Sequence, residues 1–370
     1  MKFRRALFRK KPYDKDDEAF VSAVREMTEY HIKHNKKYAK LLSDADFSPD
    51  TLKCAEDLKK LPFIPTLVFK RNELFTIDKR KIPVKVTSSG TGGSAGVIGF
   101  ELSGLFCAFK MVLKIFSFRN LFSPRLTNYV VFGYKPDKNN KTAVSKTAFG
   151  TTLFAPALHR TYALTRKDGK YEVDLDAVCR AIEKYAKQKH PVRFMGFPSY
   201  TYFTMKLLEE KKTDAKLPKG SKIILAGGWK QYYKEQVDKK EFYDTAKRVL
   251  GMDDENVIEF YGAVEHPVSY CDCKNHNLHV PAYSRVIIRD VTTLEPLPYG
   301  QIGLVELITP MIKATPITAV MPDDLGVLYP GETCGCGINT PYLKIIGRVG
   351  LKDVKTCAAG ASQLLGDVKL

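Results

Sequence analysis

The sequence predicts a mixed α/β fold with a largely parallel sheet and a second, smaller β-rich region. The chain has 370 residues, of which 44% are hydrophobic and 27% charged, enough for about two domains with a sizeable shared core. Through its middle, short apolar runs alternate with helical patterns, as is typical of parallel sheets covered by helices. From His279 onward the pattern changes to consecutive strands, in YSRVIIRDV and QIGLVELITP.

The N-terminal part is predicted to be helical, because apolar residues recur at helical spacing within residues 16–42. These residues are Phe20, Val24, Met27, Tyr30, Ile32 and Tyr38. A short strand at 82–86 then leads into a Gly-rich loop and a helix. One face of that helix is marked by Leu102, Leu105, Phe106, Phe109, Leu113 and Phe116.

The middle of the chain repeats this alternation of strand and helix. Strands are predicted at 128–132, 193–195, 222–226 and 257–260. Helices are predicted at 174–189, 200–211 and 230–250.

Composition excludes several classes of protein. The sequence has no apolar run of about 18 residues and no secretory signal pattern, so we expect a cytoplasmic protein without a transmembrane segment. The net charge is +18, and residues 101–160 hold nine bases against two acids. No nucleic-acid fold signature occurs in that stretch. We therefore expect no nucleic-acid partner, but a solvated surface or an acidic partner protein.

Two cysteine-rich stretches have the spacing of metal ligands. They are Cys271-Asp272-Cys273-Lys274-Asn275-His276-Asn277-Leu278-His279 and Cys334-Gly335-Cys336-Gly337. Four soft ligands from two such turns would form a closed, structural zinc site. The sequence does not choose between Cys271 and Cys273 or between His276 and His279. Buried thiols with a solvent-facing histidine are the alternative to a metal site.

A phosphate-binding loop is predicted directly after the strand at 82–86. Residues 87–96, TSSGTGGSAG, contain four glycines and five hydroxyl side chains. Glycines let backbone N–H groups approach phosphate oxygens, and hydroxyls add neutral donors. The loop has neither the Gly-Lys-Ser/Thr of a Walker A loop nor the spacing of a dinucleotide fingerprint. The alternative is a flexible surface turn.

Within this loop, Ser88, Ser89, Gly90, Thr91, Gly92 and Gly93 resemble the phosphate loop of adenylate-forming enzymes, which join a carboxylate to ATP and release pyrophosphate. Further motifs of that family resemble stretches of this chain in the same order. They are Gly227-Gly228-Trp229-Lys230, Tyr261-Gly262-Ala263-Val264-Glu265, Asp324 and Gly347-Arg348. The resemblance implies an adenylate-forming large domain with αβα layers, ATP and Mg²⁺ as cofactors, and a small β subdomain.

The resemblance also implies roles for these residues. Gly227, Gly228 and Trp229 would lie beside adenine, with Tyr261 and Gly262 also at the nucleotide. Glu265 would serve Mg²⁺ and the phosphates, as suits a hard carboxylate at the end of a strand. Asp324 would accept the ribose hydroxyls, and Arg348 would neutralise phosphate charge in the transition state. Considered as isolated residues, Glu265 would be an N-cap or a surface acid, and Asp324 and Arg348 would form surface ion pairs.

The phenylacetate–CoA ligase branch of these enzymes carries a similar Cys/His pair of turns, which favours Cys273, His279, Cys334 and Cys336 as the zinc ligands. Over nearly its whole length, including EHPVSYCDC and HVPAYSRVIIRD, the chain resembles the LuxE-like acyl-protein synthetases of luminescence-type fatty acid reductase complexes. Those proteins lack the small mobile C-terminal domain and carry the acyl group on a cysteine near the C-terminus. Here that cysteine is Cys357, in DVKTCAA.

The resemblance therefore implies ATP-dependent activation of a fatty or other apolar carboxylic acid and its capture on Cys357 as a thioester. An NADPH-dependent acyl reductase would take the acyl group. The alternatives are an acyl- or aryl-CoA ligase and an inactive, zinc-stabilised scaffold. Four segments are expected: a helical lobe (1–80), an α/β nucleotide-binding core (81–270), a β-rich subdomain with the Cys/His turns (271–346) and a tail with the acceptor cysteine (347–370).

Overall fold

The computed structural model describes residues 1–87, 96–135, 152–167, 170–229, 232 and 235–349. Within these residues the chain forms two compact units. The first unit comprises Met1–Ile115 and the described residues from Gly262 onward, and the second comprises Phe116–Tyr261. The division into four segments that the sequence suggests stays a prediction.

The helices of the described residues cover both units. They are α1 (Lys2–Leu7), α2 (Asp17–His34), α3 (Lys36–Asp44), α4 (Thr66–Arg71), α5 (Leu102–Phe118), α6 (Leu175–Ala186), α7 (Pro198–Glu210) and α8 (Lys239–Thr245), which continues as a π-helical turn over Ala246–Leu250. None of these helices is both long and apolar enough to cross a bilayer.

The strands of the described residues form three sheets. They are β1 (Ile64–Pro65), β2 (Val84–Thr87), β3 (Val97–Phe100), β4 (Thr127–Tyr134), β5 (Ala157–Lys167), β6 (Lys170–Val173), β7 (Val192–Gly196), β8 (Lys222–Ala226), β9 (Val257–Ala263), β10 (His266–Cys271), β11 (Leu278–His279), β12 (Arg285–Arg289), β13 (Ile302–Ile308), β14 (Ala319–Met321), β15 (Asp324–Tyr329) and β16 (Tyr342–Arg348).

The second unit is built on the predicted parallel sheet. Its strands run in the order β9-β8-β7-β4-β5, all parallel, and β6 closes the edge antiparallel to β5. Apolar side chains of α6, α7 and α8 bury the sheet in one core that includes Ile182, Met205 and Phe242. The predicted α/β class and four of the parallel strands are confirmed. Strand β5 was not predicted, because His159, Arg160 and Thr161 interrupt its apolar pattern.

A mixed sheet organises the first unit. Strand order β1-β14-β13-β15-β16-β11, with β12 beside β13, is mostly antiparallel, as the predicted β-rich region requires. The sheet also takes β1 from the N-terminal part, parallel to β14, which the sequence did not indicate. Separately, β2 pairs antiparallel with β3, so two strands flank the predicted phosphate loop where one was expected.

Two helix boundaries differ from the sequence prediction because of capping side chains. The pattern over 16–42 is broken at Asn35, whose extended backbone (φ −135°, ψ 101°) ends α2 and begins α3. Its Oδ1 accepts the N–H of Tyr38 at 3.0 Å, an N-cap that starts a new helix. Within the described part of 230–250, the α-helix begins at Lys239, where Asp238 caps it through the N–H of Glu241.

Asn35 is 7% exposed, and its Nδ2 also donates to the Phe75 carbonyl at 3.3 Å. Replacing Asn35 with Ala should therefore lower the free energy of unfolding by about 1 to 2 kcal/mol, measured by urea unfolding followed by circular dichroism. The matched control is Asn72→Ala, because Asn72 donates to the Val68 carbonyl at the exposed end of α4. There the change should stay below about 0.5 kcal/mol. Equal losses at both positions would contradict the capping role.

Candidate functional site

Two tight turns of the first unit bring four predicted ligands together. The first turn begins at Cys273, whose carbonyl accepts the N–H of His276 at 3.0 Å, and reaches His279 at the end of β11. In the second, Cys334 ends a 3-10 turn and is followed by Gly335 (φ +69°). This left-handed backbone favours glycine and turns the chain back towards Cys336.

The ligand atoms of Cys273, His279, Cys334 and Cys336 all lie within 4.8 Å of one another. Cys273 Sγ is 3.5 Å from Cys334 Sγ, and Cys336 Sγ is 3.2 Å from His279 Nε2. A tetrahedral zinc ion with Zn–S bonds of about 2.3 Å needs sulfur atoms roughly 3.8 Å apart. The cluster is therefore of the size that one tetrahedral ion requires.

Each of the three sulfur atoms accepts a hydrogen bond from an N–H group at 3.2 to 3.4 Å. The donors are Asn275 N to Cys273, Asn277 Nδ2 to Cys334 and Ile338 N to Cys336. Such donors stabilise thiolates, the form in which cysteine binds a metal.

The histidine is oriented for ligation as well. His279 is buried, and its Nδ1 lies 2.6 Å from the carbonyl oxygen of Thr340. Because a carbonyl oxygen only accepts, Nδ1 carries the proton and the lone pair of Nε2 faces the sulfur atoms. Metal-ligating histidines usually make this second hydrogen bond.

Burial works against the ionised thiols. Burial raises the pKa of the Cys273 and Cys336 thiols above the ordinary value. At Cys334 burial acts in the same direction, but the hydrogen bond from Asn277 and the neighbouring cysteines lower the pKa overall. A bound divalent cation would supply the missing positive charge and displace the thiol protons. The donor set thus fits zinc.

The two alternative ligands are placed elsewhere. Cys271 is buried at the end of β10, and its sulfur is not part of this group of ligand atoms. His276 turns its Nδ1 to Asp272 Oδ2 at 3.1 Å.

Asp324 and Arg348 are cross-strand neighbours at the ends of β15 and β16. Arg348 Nε lies 3.4 Å from Asp324 Oδ1, with the arginine side chain half exposed and the aspartate 13% exposed. Four residue pairs, from Tyr329 opposite Tyr342 to Gly326 opposite Ile345, share one register. If that register continued, Gly347 would lie opposite Asp324. A β-bulge between Leu325 and Gly326 shifts it by one residue and brings Arg348 there instead.

Glu265 lies in the two-residue connection between β9 and β10 and is only 6% exposed. A carboxylate so far from water needs hydrogen-bond donors or a cation. Three residues before Glu265, the backbone of Gly262 is closely packed, since a Cβ added there would lie 3.3 Å from the Val268 carbonyl oxygen.

In the second unit, two predicted stretches end neighbouring parallel strands. Gly227 (φ +84°) and Gly228 (φ +64°) follow β8, and Tyr261 lies near the end of β9. The pairing of Ala226 with Phe260 puts these stretches at the same, carboxyl edge of the sheet, where α/β proteins bind ligands. Trp229 is buried against Tyr202 and Phe203, so its ring belongs to the core.

The remaining predicted residues lie outside the described part of the chain. These are Ser88, Ser89, Gly90, Thr91, Gly92, Gly93 and Cys357. Conversely, the sequence did not single out Asn275, Asn277 and Thr340, which hold the thiols and the histidine. Their position inside or beside the turns was the available signal, since asparagine is common in tight turns.

The family described as "Acyl-protein synthetase, LuxE" matches residues 8–366. The chain is 23% identical over 336 residues to the long-chain-fatty-acid–luciferin-component ligase of Vibrio harveyi, covering 90% of this chain and 85% of that protein. It is 23% identical over 378 residues to the ligase of that name from Aliivibrio fischeri, covering 95% and 90%.

Among solved structures, the chain is similar to 2-hydroxyisobutyryl-CoA ligase. An open conformation of that enzyme with 2-HIB-AMP and CoA gives a TM-score of 0.68 at 16% identity, covering 93% of this chain and 78% of that one. Its postadenylation state gives 0.66 at 15% identity, covering 91% and 69%. The likeness shows the fold of an adenylate-forming ligase.

Freshly purified protein is expected to contain about one zinc ion per chain by elemental mass spectrometry, because four convergent ligands close one tetrahedral site. Cys334→Ser should lose the metal and lower the melting temperature. Cys271→Ser removes a neighbouring buried thiol outside the cluster and should keep the zinc. Absence of zinc from the wild type, or its retention in Cys334→Ser, would sink the assignment.

Proposed function

The chain belongs to the LuxE acyl-protein synthetase family, and from this we propose that it activates a fatty or other apolar carboxylic acid with Mg·ATP and loads the acyl group onto its own Cys357. Family membership makes the chain a ligase with the adenylate-forming fold. In the first step a carboxylate oxygen of the acid attacks the α-phosphorus of ATP, and pyrophosphate leaves. In the second, the Cys357 thiolate attacks the acyl carbonyl, a thioester forms and AMP leaves.

The pairing of Asp324 with Arg348 is the observation that carries the proposed nucleotide site. A carboxylate that is 13% exposed can accept two ribose hydroxyls, and a half-exposed arginine beside it can approach phosphate oxygens. Because the Arg348 side chain is half exposed, water screens its attraction to Asp324, and turning Arg348 towards a nucleotide costs little. The residues thus suit binding ATP and stabilising charge during adenylation.

Other residues of each unit support this assignment separately. In the first unit, Glu265 would hold the Mg²⁺ that accompanies ATP, because carboxylate oxygens are preferred ligands of this hard cation. In the second unit, Gly227 and Gly228 have left-handed backbones without side chains, so a flat base could approach them closely. Because the Trp229 ring is buried in the core, its proposed role at adenine would be to fix this backbone.

Two parts of the proposal rest on the sequence resemblance alone. The phosphate loop, Ser88 to Gly93, would bind the ATP phosphates, and Cys357 would accept the acyl group. Lys352 and Lys355 near this cysteine would favour its thiolate.

A thioester keeps the acyl group activated for a second protein, and an NADPH-dependent acyl reductase is the proposed recipient. The zinc site would be structural. With all four positions filled by Cys273, His279, Cys334 and Cys336, no position is left for substrate.

Incubation with Mg·ATP and long-chain fatty acids should add the mass of one acyl group to the wild type, detected by intact-mass spectrometry and removed by hydroxylamine. Cys357→Ser should show no such adduct but should still exchange pyrophosphate into ATP. The exposed Cys54, changed in Cys54→Ser, is the matched control and should acylate normally. An adduct on Cys357→Ser would refute the acceptor; a product formed only with coenzyme A would favour the CoA ligase alternative.

Asp324→Asn should raise the KM for ATP at least about tenfold in pyrophosphate exchange, because an amide replaces an acceptor-only carboxylate at the ribose. The KM for the fatty acid should change little. The adjacent Asp323→Asn is the matched control, since the described contact of Asp323 is its backbone carbonyl with the N–H of Val349. Similar KM values in wild type and Asp324→Asn would remove Asp324 from the nucleotide site.

A further inference from the structure

Helix α5 presents an apolar face to solvent. Leu102, Phe106 and Phe109 lie at helical spacing on one side and are 73%, 57% and 56% exposed, without cover from other described residues. The opposite side is fixed in the core by Cys107, Met111 and Ile115, which are nearly fully buried. The rotation of α5 is therefore set by packing, and its exposed aromatic face is a property of the folded unit.

The N-terminal segment from Arg4 to Lys10 is hydrogen-bonded to both ends of α5. Arg4 Nη1 donates to Glu101 Oε1 at 2.9 Å at one end of α5, and Arg4 Nη2 donates to Ser103 Oγ at 2.8 Å. Towards the other end, Lys114 Nζ donates to the carbonyls of Phe8 and Lys10. The N-terminal residues thus run beside the apolar face over much of its length.

Basic side chains outnumber acidic ones around this face, where Glu26 binds the N-terminal amine and Asp16 pairs with Lys10. Residues 1–13 contain six bases and no acid, and α5 adds Lys110 and Lys114. Glu101, just before α5, is buried and paired with Arg4. Lys2, Arg5, Arg9 and Lys11 are exposed and have no acidic side-chain partner among the described residues. Lys110 Nζ lies 4.4 Å above the Phe106 ring, so a cation borders the aromatic face itself.

We propose that this chain docks on anionic lipid membranes through the apolar face of α5 and the exposed basic residues of the N-terminal segment 2–11. Exposed Phe and Leu side chains bordered by Lys and Arg are the pattern that inserts at the boundary of headgroups and acyl chains. Anionic headgroups complement the exposed bases and attract them to such a surface. Docking goes beyond the acyl-transfer chemistry and does not depend on it, although it would bring the enzyme to where long-chain fatty acids dissolve.

The test is flotation of the whole protein with phosphatidylcholine vesicles and with vesicles that also contain phosphatidylglycerol. The wild type should bind the anionic vesicles and much less the neutral ones, and added salt should weaken binding. Phe106→Gln/Phe109→Gln should reduce vesicle affinity about tenfold or more, since each ring loses its apolar burial. Leu67→Gln/Tyr299→Gln removes exposed apolar side chains elsewhere on the first unit and should bind as the wild type does.

A second pair of variants tests the charges. Arg5→Gln/Arg9→Gln should reduce affinity for anionic vesicles about tenfold or more, whereas Lys187→Gln/Lys189→Gln, on exposed lysines of the second unit, should not. Pyrophosphate exchange with octanoate, a short soluble acid, reports folding and the proposed chemistry without vesicles. It should be unchanged in all four variants if the wild type is active.

Failure of the wild type to bind anionic vesicles, or undiminished binding by Phe106→Gln/Phe109→Gln, would overturn membrane docking whatever the result of pyrophosphate exchange. If the wild type does not bind vesicles while Phe106→Gln/Phe109→Gln loses acyl transfer to a partner protein, the apolar face of α5 is instead a docking surface for an acidic protein. An inactive wild type that still binds anionic vesicles through α5 would keep the docking proposal and refute the enzymatic one.

Discussion

The pairing of β16 with both of its neighbours is the constraint on which the candidate sites of the first unit depend. On one side, β11 pairs His279 with Tyr342 and so holds the histidine beside the turn that carries Cys334 and Cys336. On the other side, β15 pairs Asp324 with Arg348. A single strand of seven residues therefore connects the proposed metal cluster to the proposed ribose site.

Through this connection, a metal ion bound at the proposed cluster would also order residues away from its ligands. A bound ion would tie the turns at both ends of the β11–β16 pair, and the backbone hydrogen bonds of β16 would transmit that order to β15. The bulge at Leu325 and Gly326 makes the arrangement sensitive, because one residue of slippage would replace Arg348 by Gly347 opposite Asp324. The backbone of Gly326 packs closely against Val305, because a Cβ added at Gly326 would lie 2.8 Å from Val305 Cγ2.

The sequence predicted the parts of the fold that depend on local pattern. The strands around Val130, Phe194 and Ile224 were recognisable, because fully buried parallel strands are continuous apolar runs. Strand β5 was not predicted, because its side chains are partly polar and its place in the sheet is fixed by hydrogen bonds to β4. The Cys/His turns were found from spacing, but the choice of Cys273 over Cys271 depends on packing that no spacing records. The bulge that aligns Arg348 leaves no mark in the sequence either.

The orientation of helix α5 is another feature that the sequence pattern does not predict. Its apolar pattern predicted a helix correctly, yet the face marked by Leu102, Phe106 and Phe109 is the one turned to solvent. The core contact is made by Cys107, Met111 and Ile115, with Gly104 so close to Ile312 that an added Cβ would lie 2.7 Å from its Cδ1. A helix that is apolar all round satisfies either orientation, so the sequence leaves the rotation open. Tertiary contacts of the buried residues determine it, and Phe106 and Phe109 remain on the outside, where an exposed apolar area would suit an interaction surface.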